Sequence, residues 1–382
     1  MGKIGLNDDT LAPSPSLRKK VSGITVAAGE RWEIGSPDAG ASPPESGPDT
    51  KTPSPRSVPP RQRGLALITA MLVVAIVATA AAYLSLDQQI WLRQAQNQSD
   101  REQAEAVRQA AEGWAIIILD KASKTNNSED DLTQNWAQPL PALPVEGGQI
   151  AGQITDAQAK FNLNNLVRNN APSPTDVGVF RHMLETLSID PNLTDAMIDW
   201  IDSDSTTLPY GAEDIDYLQM KVPYRAANQP FTSVDELRLV RGFTPEIVDK
   251  LRPYVTVLPQ ATTINVNTAT PEVLSVLFNL PASAISQITQ QGPFKNTQDF
   301  TAKIQPLIAT GTALPNQSTY GVQSSYFEVR IDAQFGRYRR TTISLINRGA
   351  GGGISRVLWH RQVLPGLAKT TENPDTSSSG NI

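Results

Sequence analysis

Residues Leu65 to Leu86 are 22 consecutive positions without a charge, directly behind Arg61, Arg63 and Gly64. A helix needs about 20 apolar residues, at about 1.5 Å each, to cross the hydrocarbon core of a bilayer. The run therefore predicts a transmembrane helix over 65–86. Its basic flank puts the N-terminal side in the cytoplasm and the rest of the chain across the membrane. The helix is predicted to continue over 87–125, because residues 87 to 122 hold no proline and a single glycine, Gly113. Ala104, Val107, Ala111, Trp114 and Ile118 recur there at intervals of three or four, an apolar stripe suited to packing on a domain.

Beyond Gly147-Gly148 the period changes to two. Ile150, Gly152 and Ile154 alternate with polar residues, and Phe327, Val329, Ile331 and Ala333 alternate with Tyr326, Glu328, Arg330 and Asp332. Tyr338 to Ile346 and Ile354 to Val363 read as two further strands of an antiparallel sheet begun at Gln149. Residues 172–312, between these strands, are helical in pattern. Ser233-Val234-Asp235-Glu236 reads as a capping box. Thr244-Pro245-Glu246 and Thr270-Pro271-Glu272 each supply an N-cap, a first-turn proline and a first-turn acid. The fold expected is α+β: a long N-terminal helix packed on an antiparallel sheet, with a large inserted all-α domain. The boundaries are a transmembrane helix 65–86, its continuation 87–125, an α/β domain formed by 126–171 and 313–367, and the insertion 172–312.

The two ends are a different material. Residues 1–60 are rich in proline and serine and hold little that could pack, so 1–64 reads as a disordered tail and leader, and 368–382 as a disordered tail. The net charge of −5 over 382 residues offers no obvious attraction for nucleic acid or an anionic membrane surface. The absence of cysteine excludes disulfides, thiolate zinc sites and thiol nucleophiles. With only His182 and His360, far apart, any metal would be a hard cation held by oxygen. There is no Gly-x-Ser-x-Gly and no phosphate-binding glycine loop, so no enzyme is implied.

One stretch carries candidate chemistry. Between Asp190 and Tyr217 stand eight acids and no Lys or Arg. Asp199, Asp202 and Asp204 fall at the predicted end of a helix, where anions are disfavoured, and Glu213, Asp214 and Asp216 follow a loop with Pro209 and Gly211. Such a set is either a solvated acidic face or a divalent-cation site, and Ca²⁺ takes six to eight oxygens from loops of this kind. A calcium-dependent hydrolase is the enzymatic alternative.

Three features together resemble a known family. Arg61-Gln62-Arg63-Gly64 followed by Leu65-Ala66-Leu67-Ile68 resembles the processing site of type IV pilins and type II secretion pseudopilins. There a membrane peptidase cuts after the glycine and methylates the new N-terminus, which implies cleavage and methylation at Gly64 and Leu65. Thr69 stands where most of that family has glutamate at the fifth mature position, a departure that fits the K-type minor pseudopilin of type II secretion. Asp156, Lys160 and Phe161-Asn162-Leu163-Asn164-Asn165-Leu166, and then Asp199-Trp200-Ile201-Asp202 with Gly211-Ala212-Glu213-Asp214, are similar to K-type segments. The resemblance implies a pilin-like fold and calcium held by Asp202, Asp204, Glu213 and Asp214, with Asp199 and Asp216 as further candidate ligands. It also implies a place at the pseudopilus tip beside I-, J- and H-type minor pseudopilins and the major pseudopilin. The inner membrane, a periplasmic C-terminal domain and a role in export of folded proteins go with it.

Other readings compete. Ala78-Thr79-Ala80 matches a signal-peptide cleavage pattern, although the apolar run continues beyond it, and a plain anchor fits the same run. Phe231–Val255 and Ile264–Phe300 look like helix-hairpin-helix repeats, which suggests a membrane-anchored DNA-binding or uptake protein as the alternative. Six bases and six acids cancel over 231–308, and the second hairpin lacks glycine, so a packing role is expected instead.

Overall fold

The computed structural model describes residues 61–125 (backbone alone for 61–64), 128–308, 314–349 and 353–364. The expectations for 1–60 and for 368–382 lie outside the described residues. The chain divides into a unit ending at Val74 and a second from Ala75 onward.

Helix α1 spans Arg61–Thr125. Among the described residues it is the one helix long and apolar enough to cross a membrane, and its most apolar window has a mean hydropathy of 2.6 with none of its surface buried. Thr69 is satisfied within the helix, its hydroxyl donating to the carbonyls of Leu65 and Ala66. The strands and helices that follow are β1 (Leu140–Val145), β2 (Gly148–Asp156), β3 (Phe161–Asn162), β4 (Val167–Arg168), β5 (Ala171–Pro172), α2 (Pro174–Thr186), α3 (Leu193–Ile201), α4 (Asp214–Leu218), α5 (Pro245–Leu251), β6 (Val255–Thr256), β7 (Ile264–Asn265), α6 (Pro271–Phe278), α7 (Ala282–Thr289), α8 (Thr297–Ile304), β8 (Tyr320–Gly321), β9 (Tyr326–Phe335), β10 (Tyr338–Asn347) and β11 (Arg356–Val363).

The main sheet is antiparallel throughout, in the order β1-β2-β9-β10-β11. Among the described residues, every α-helix after α1 lies in the chain between β2 and β9, two neighbours in that sheet. The edge strand β1 was not anticipated. It carries Pro141 and Pro144, which supply no ladder donor and are tolerated at an edge.

Ala115 and Leu119 of α1 pack on Ile150, Ile154, Phe327, Val329, Ile331 and Ile346 of the sheet, with Trp136 edge-on to Phe327. The buried stripe differs from the one read in the sequence. Trp114 is half exposed, whereas Arg108 and Glu112 are buried. The reason is pairing. Arg108 bonds Glu105 and lies 2.5 Å from Glu112, Ser344 donates to Glu112 at 2.5 Å, and Arg340 reaches Glu105 at 3.1 Å. Apolar counting cannot detect a charge buried by a partner more than 200 residues away.

The helical block has its own core, built on Phe180, Met197, Trp200, Leu237, Val248, Leu274, Phe278 and Phe300. The caps form where expected: Thr244 accepts from Ile247 N–H and Thr270 from Val273 N–H. Ser233 accepts from Asp235 N–H, but it opens a 3-10 helix (Val234–Leu239), and Glu236 turns to Thr232 and Trp200 instead of closing the box. The first of the two segments read as helix-hairpin-helix units therefore begins without an α-helix.

Three asparagines join the block to its host. Asn162 donates to Gln260 O at 2.8 Å and accepts from Leu258 N–H at 3.0 Å. Asn164 exchanges the same pair of bonds with Phe231, at 3.0 and 2.8 Å. Asn165 does so with Thr262, at 2.7 and 3.0 Å. Each side-chain amide thus copies one rung of a β-ladder, satisfying buried backbone that has no strand partner. Asn162 also accepts locally from Asn164 N–H at 3.2 Å, so the same side chain caps its own turn and reaches across the chain.

Candidate metal centre

Helix α3 is apolar on the face packed into the block and ends at Ile201, so Asp202 begins the loop that carries the chain to α4. Asp202, Asp204 and Glu213 converge there, each offering one carboxylate oxygen, and the three oxygens lie within 4.8 Å of one another. Asp202 and Glu213 are about 5% and 4% exposed, while Asp204 is open to solvent. Asp202 Oδ1 and both carboxylate oxygens of Glu213 are buried without a hydrogen-bond partner. Buried carboxylate oxygens are nearly always satisfied, and an uncompensated buried charge is costly. Burial pushes Asp202 up to about 6, with the charge of Asp204 adding to it. Burial pushes Glu213 up to about 7, reinforced by Asp199, Asp202 and Asp204.

A cation at this point would satisfy these oxygens. Oxygens bound to one Ca²⁺ at about 2.3–2.6 Å can stand up to about 5 Å apart, and every pair in this group falls inside that span. The donor set is all oxygen and loop-borne, as a hard cation requires. Asp202, Asp204 and Glu213 therefore fit a divalent cation.

The other three acids are employed differently. Asp199 is buried beneath Gly211 and accepts from Leu208 N–H at 3.1 Å. Burial pushes it up to about 6, and its charge reaches the cluster without its oxygens joining it. Asp214 accepts from Ala226 N–H at 3.0 Å and faces Arg225 at 3.4 Å. Asp216 accepts from Glu213 N–H at 3.1 Å and pairs with Arg241 at 2.8 Å. Asp214 and Asp216, which the resemblance put forward as ligands, thus have partners of their own and lie outside the group of three converging oxygens.

The sequence also showed eight acids without counter-charge, and the fold corrects that. Arg181 pairs with Asp195 at 2.6 Å, and Arg225 and Arg241 come in from outside the stretch. Arg241 also donates to the Gly211 carbonyl, and its N–H bonds the Tyr217 hydroxyl at 3.2 Å, which fixes the loop over Asp199. Asn170 accepts from Ser203 N–H at 2.8 Å. No local signal marks these four residues; only tertiary contact recruits them.

Together, a membrane-spanning candidate helix, an antiparallel sheet and a helical insertion with an acidic loop define an anchored α+β subunit. A family profile described as type II secretion system (T2SS), protein K, matches residues 159–260. Type II secretion system protein K of Pseudomonas aeruginosa is 35% identical over 307 residues, covering 77% of this chain and 91% of the relative. The Aeromonas hydrophila protein of that name is 32% identical over 310 residues, covering 76% and 94%. Among solved structures, the GspK-GspI-GspJ complex of the enterotoxigenic Escherichia coli type 2 secretion system matches with a TM-score of 0.63 and 30% identity, covering 71% of this chain and 99% of the other. The chain belongs to the type II secretion system protein K family. It is accordingly a pseudopilin of protein transport, and the DNA-uptake alternative is not favoured.

Proposed function

We propose that this chain is the minor pseudopilin that starts and caps the type II secretion pseudopilus. α1 anchors it as a single-pass protein of the inner membrane, and the sheet and helical block lie in the periplasm. Prepilin peptidase removes the leader after Gly64 and methylates Leu65. I- and J-type minor pseudopilins are its partners, as the chains of the matching GspK-GspI-GspJ complex support, and the H-type minor pseudopilin and the major pseudopilin join them in the proposed assembly. The observation that carries this reading is the insertion of the whole helical block between two neighbouring strands, β2 and β9. Its bulk leaves no room for another subunit above it, so a filament can extend only below. The helix-rich repeats serve as packing for this cap, since their caps and apolar residues are spent internally. Calcium held by Asp202, Asp204 and Glu213 neutralises the acidic loop and fixes it to α3 and α4.

The test is mass analysis of the mature N-terminus after membrane isolation, with crosslinking to the other minor pseudopilins. The expected product begins at methylated Leu65 and crosslinks at stoichiometric, not filament-length, ratio. A start at Ala81, or incorporation along the whole filament, would sink the assignment.

A further inference from the structure

A cleft of about 500 Å³ opens between the outer face of the sheet and the helical block, and it shares no residue with the acidic loop. The turn after β2, β11 and the helical block supply three cations to it: Lys160, Arg361 and Arg252. Arg252 is already paired with Asp235 at 2.6 Å. Lys160 donates to the Arg252 carbonyl at 3.2 Å, and no carboxylate among the described residues lies within ion-pair distance of it. Arg361 lies over the Trp359 ring, 5.2 Å from its centroid, and its charge also helps hold the Asp235 carboxyl below its usual range, although no ion pair within 4 Å joins it to a carboxylate among the described residues. Two carboxylates line the cleft. Asp156 is turned inward to Ser324, Thr268 and Asn265, which leaves Glu328.

We infer that this cleft is a binding site for an acidic peptide segment of a partner protein, whose carboxylates meet Lys160 and Arg361. Four observations carry the assignment. An ammonium has three donors, and Lys160 uses one. A site lined by two cations that make no close ion pair among the described residues runs against the overall charge of −5. The hydroxyl-bearing Thr232 and Ser233 and the Trp359 ring give an extended chain both hydrogen bonds and an apolar platform. The volume is that of a ligand pocket of several residues, far more than a lone inorganic anion fills. Burial also holds the Lys160 ammonium below the usual lysine range, with Glu328 opposing and Arg252 reinforcing, and an arriving carboxylate relieves that cost.

The test uses the full chain in lipid nanodiscs and a fluorescein-labelled peptide of alternating glutamate and serine, followed by anisotropy. The glutamine version of the peptide serves as the neutral probe. The glutamate peptide is expected to bind and the glutamine peptide to bind at least about tenfold more weakly. Lys160→Met is expected to weaken binding by about tenfold or more, because its charge is mostly buried. Arg361→Gln, at an exposed position that does not threaten folding, is expected to weaken it by about two- to fivefold. Arg339→Gln, on the same sheet but outside the cleft, should leave it unchanged. No binding, equal binding of both peptides, or an unchanged affinity in Arg361→Gln overturns the proposal. Complete displacement by inorganic phosphate at equal charge concentration overturns it in favour of a small-anion site.

Discussion

Arg348, just past the end of β10, grips Asp130 with both terminal nitrogens, Nη1 to Oδ1 and Nη2 to Oδ2, each at 2.6 Å. Asp130 also accepts from Ser324 N–H at 2.8 Å, and the guanidinium lies over the Phe327 ring. The pair is buried, so removing one partner strands the other. Arg348→Met is expected to cost about 3–5 kcal/mol of unfolding free energy. Urea denaturation of the variant would check this; a loss under about 1 kcal/mol would show that Asp130 finds other solvation.

Asp156 sits in the same region and gives a pH signature. It accepts from Gln158 N–H, Thr268, Ser324 and Asn265, yet burial pushes it up to about 6. A carboxyl whose folded value exceeds its unfolded value of 3.8 contributes stability in full below 3.8, and loses it as pH rises towards about 6. The term is on the order of 3 kcal/mol. Thermal melts from pH 3.5 to 7 should show wild type losing stability relative to Asp156→Asn across that window. A constant difference between the two proteins would refute it.

The acidic loop predicts a cation response. Millimolar Ca²⁺ should raise the melting temperature of the full chain, and chelation should reverse the rise. A site filled to about 100 times its dissociation constant adds about 2.7 kcal/mol. Glu213→Gln should abolish most of the response, whereas Asp214→Asn should keep it, since Asp214 faces Arg225. Equal loss in both variants would place Asp214 among the ligands after all.

Gly211 tests the support beneath that loop. A methyl group at this position would run into the Asp199 carboxylate. Gly211→Ala should destabilise the protein by about 1–3 kcal/mol through overpacking and blunt the Ca²⁺ response without touching any ligand. An unaltered calcium-induced shift in melting temperature would show that Asp199 and the loop are uncoupled from the cluster.

How much the chain reveals depends on how local each signal is. The apolar run of α1, the alternation of β9 and β10, and the proline-led caps at Thr244 and Thr270 are written in neighbouring residues, and all were legible. The convergence of Asp202, Asp204 and Glu213 was half legible: the acids were visible, but which of them face inward depends on Arg225 and Arg241, remote in the chain. The burial of Arg108 and Glu112, the proline-bearing β1, and the two-residue parallel pairs β3–β6 and β7–β8 have no periodicity to betray them.

Asn162, Asn164 and Asn165 stand in for a longer ladder. A continuous sheet between host and insertion would tie every residue in between to one register. Here six amide contacts share that role with the two-residue pairs β3–β6 and β7–β8, and they grip the chain at Phe231, Leu258, Gln260 and Thr262. Phe161, Leu163 and Leu166, interleaved with these amides, run into the insertion's own core, so the joint is welded by grease as well as stitched by polar thread.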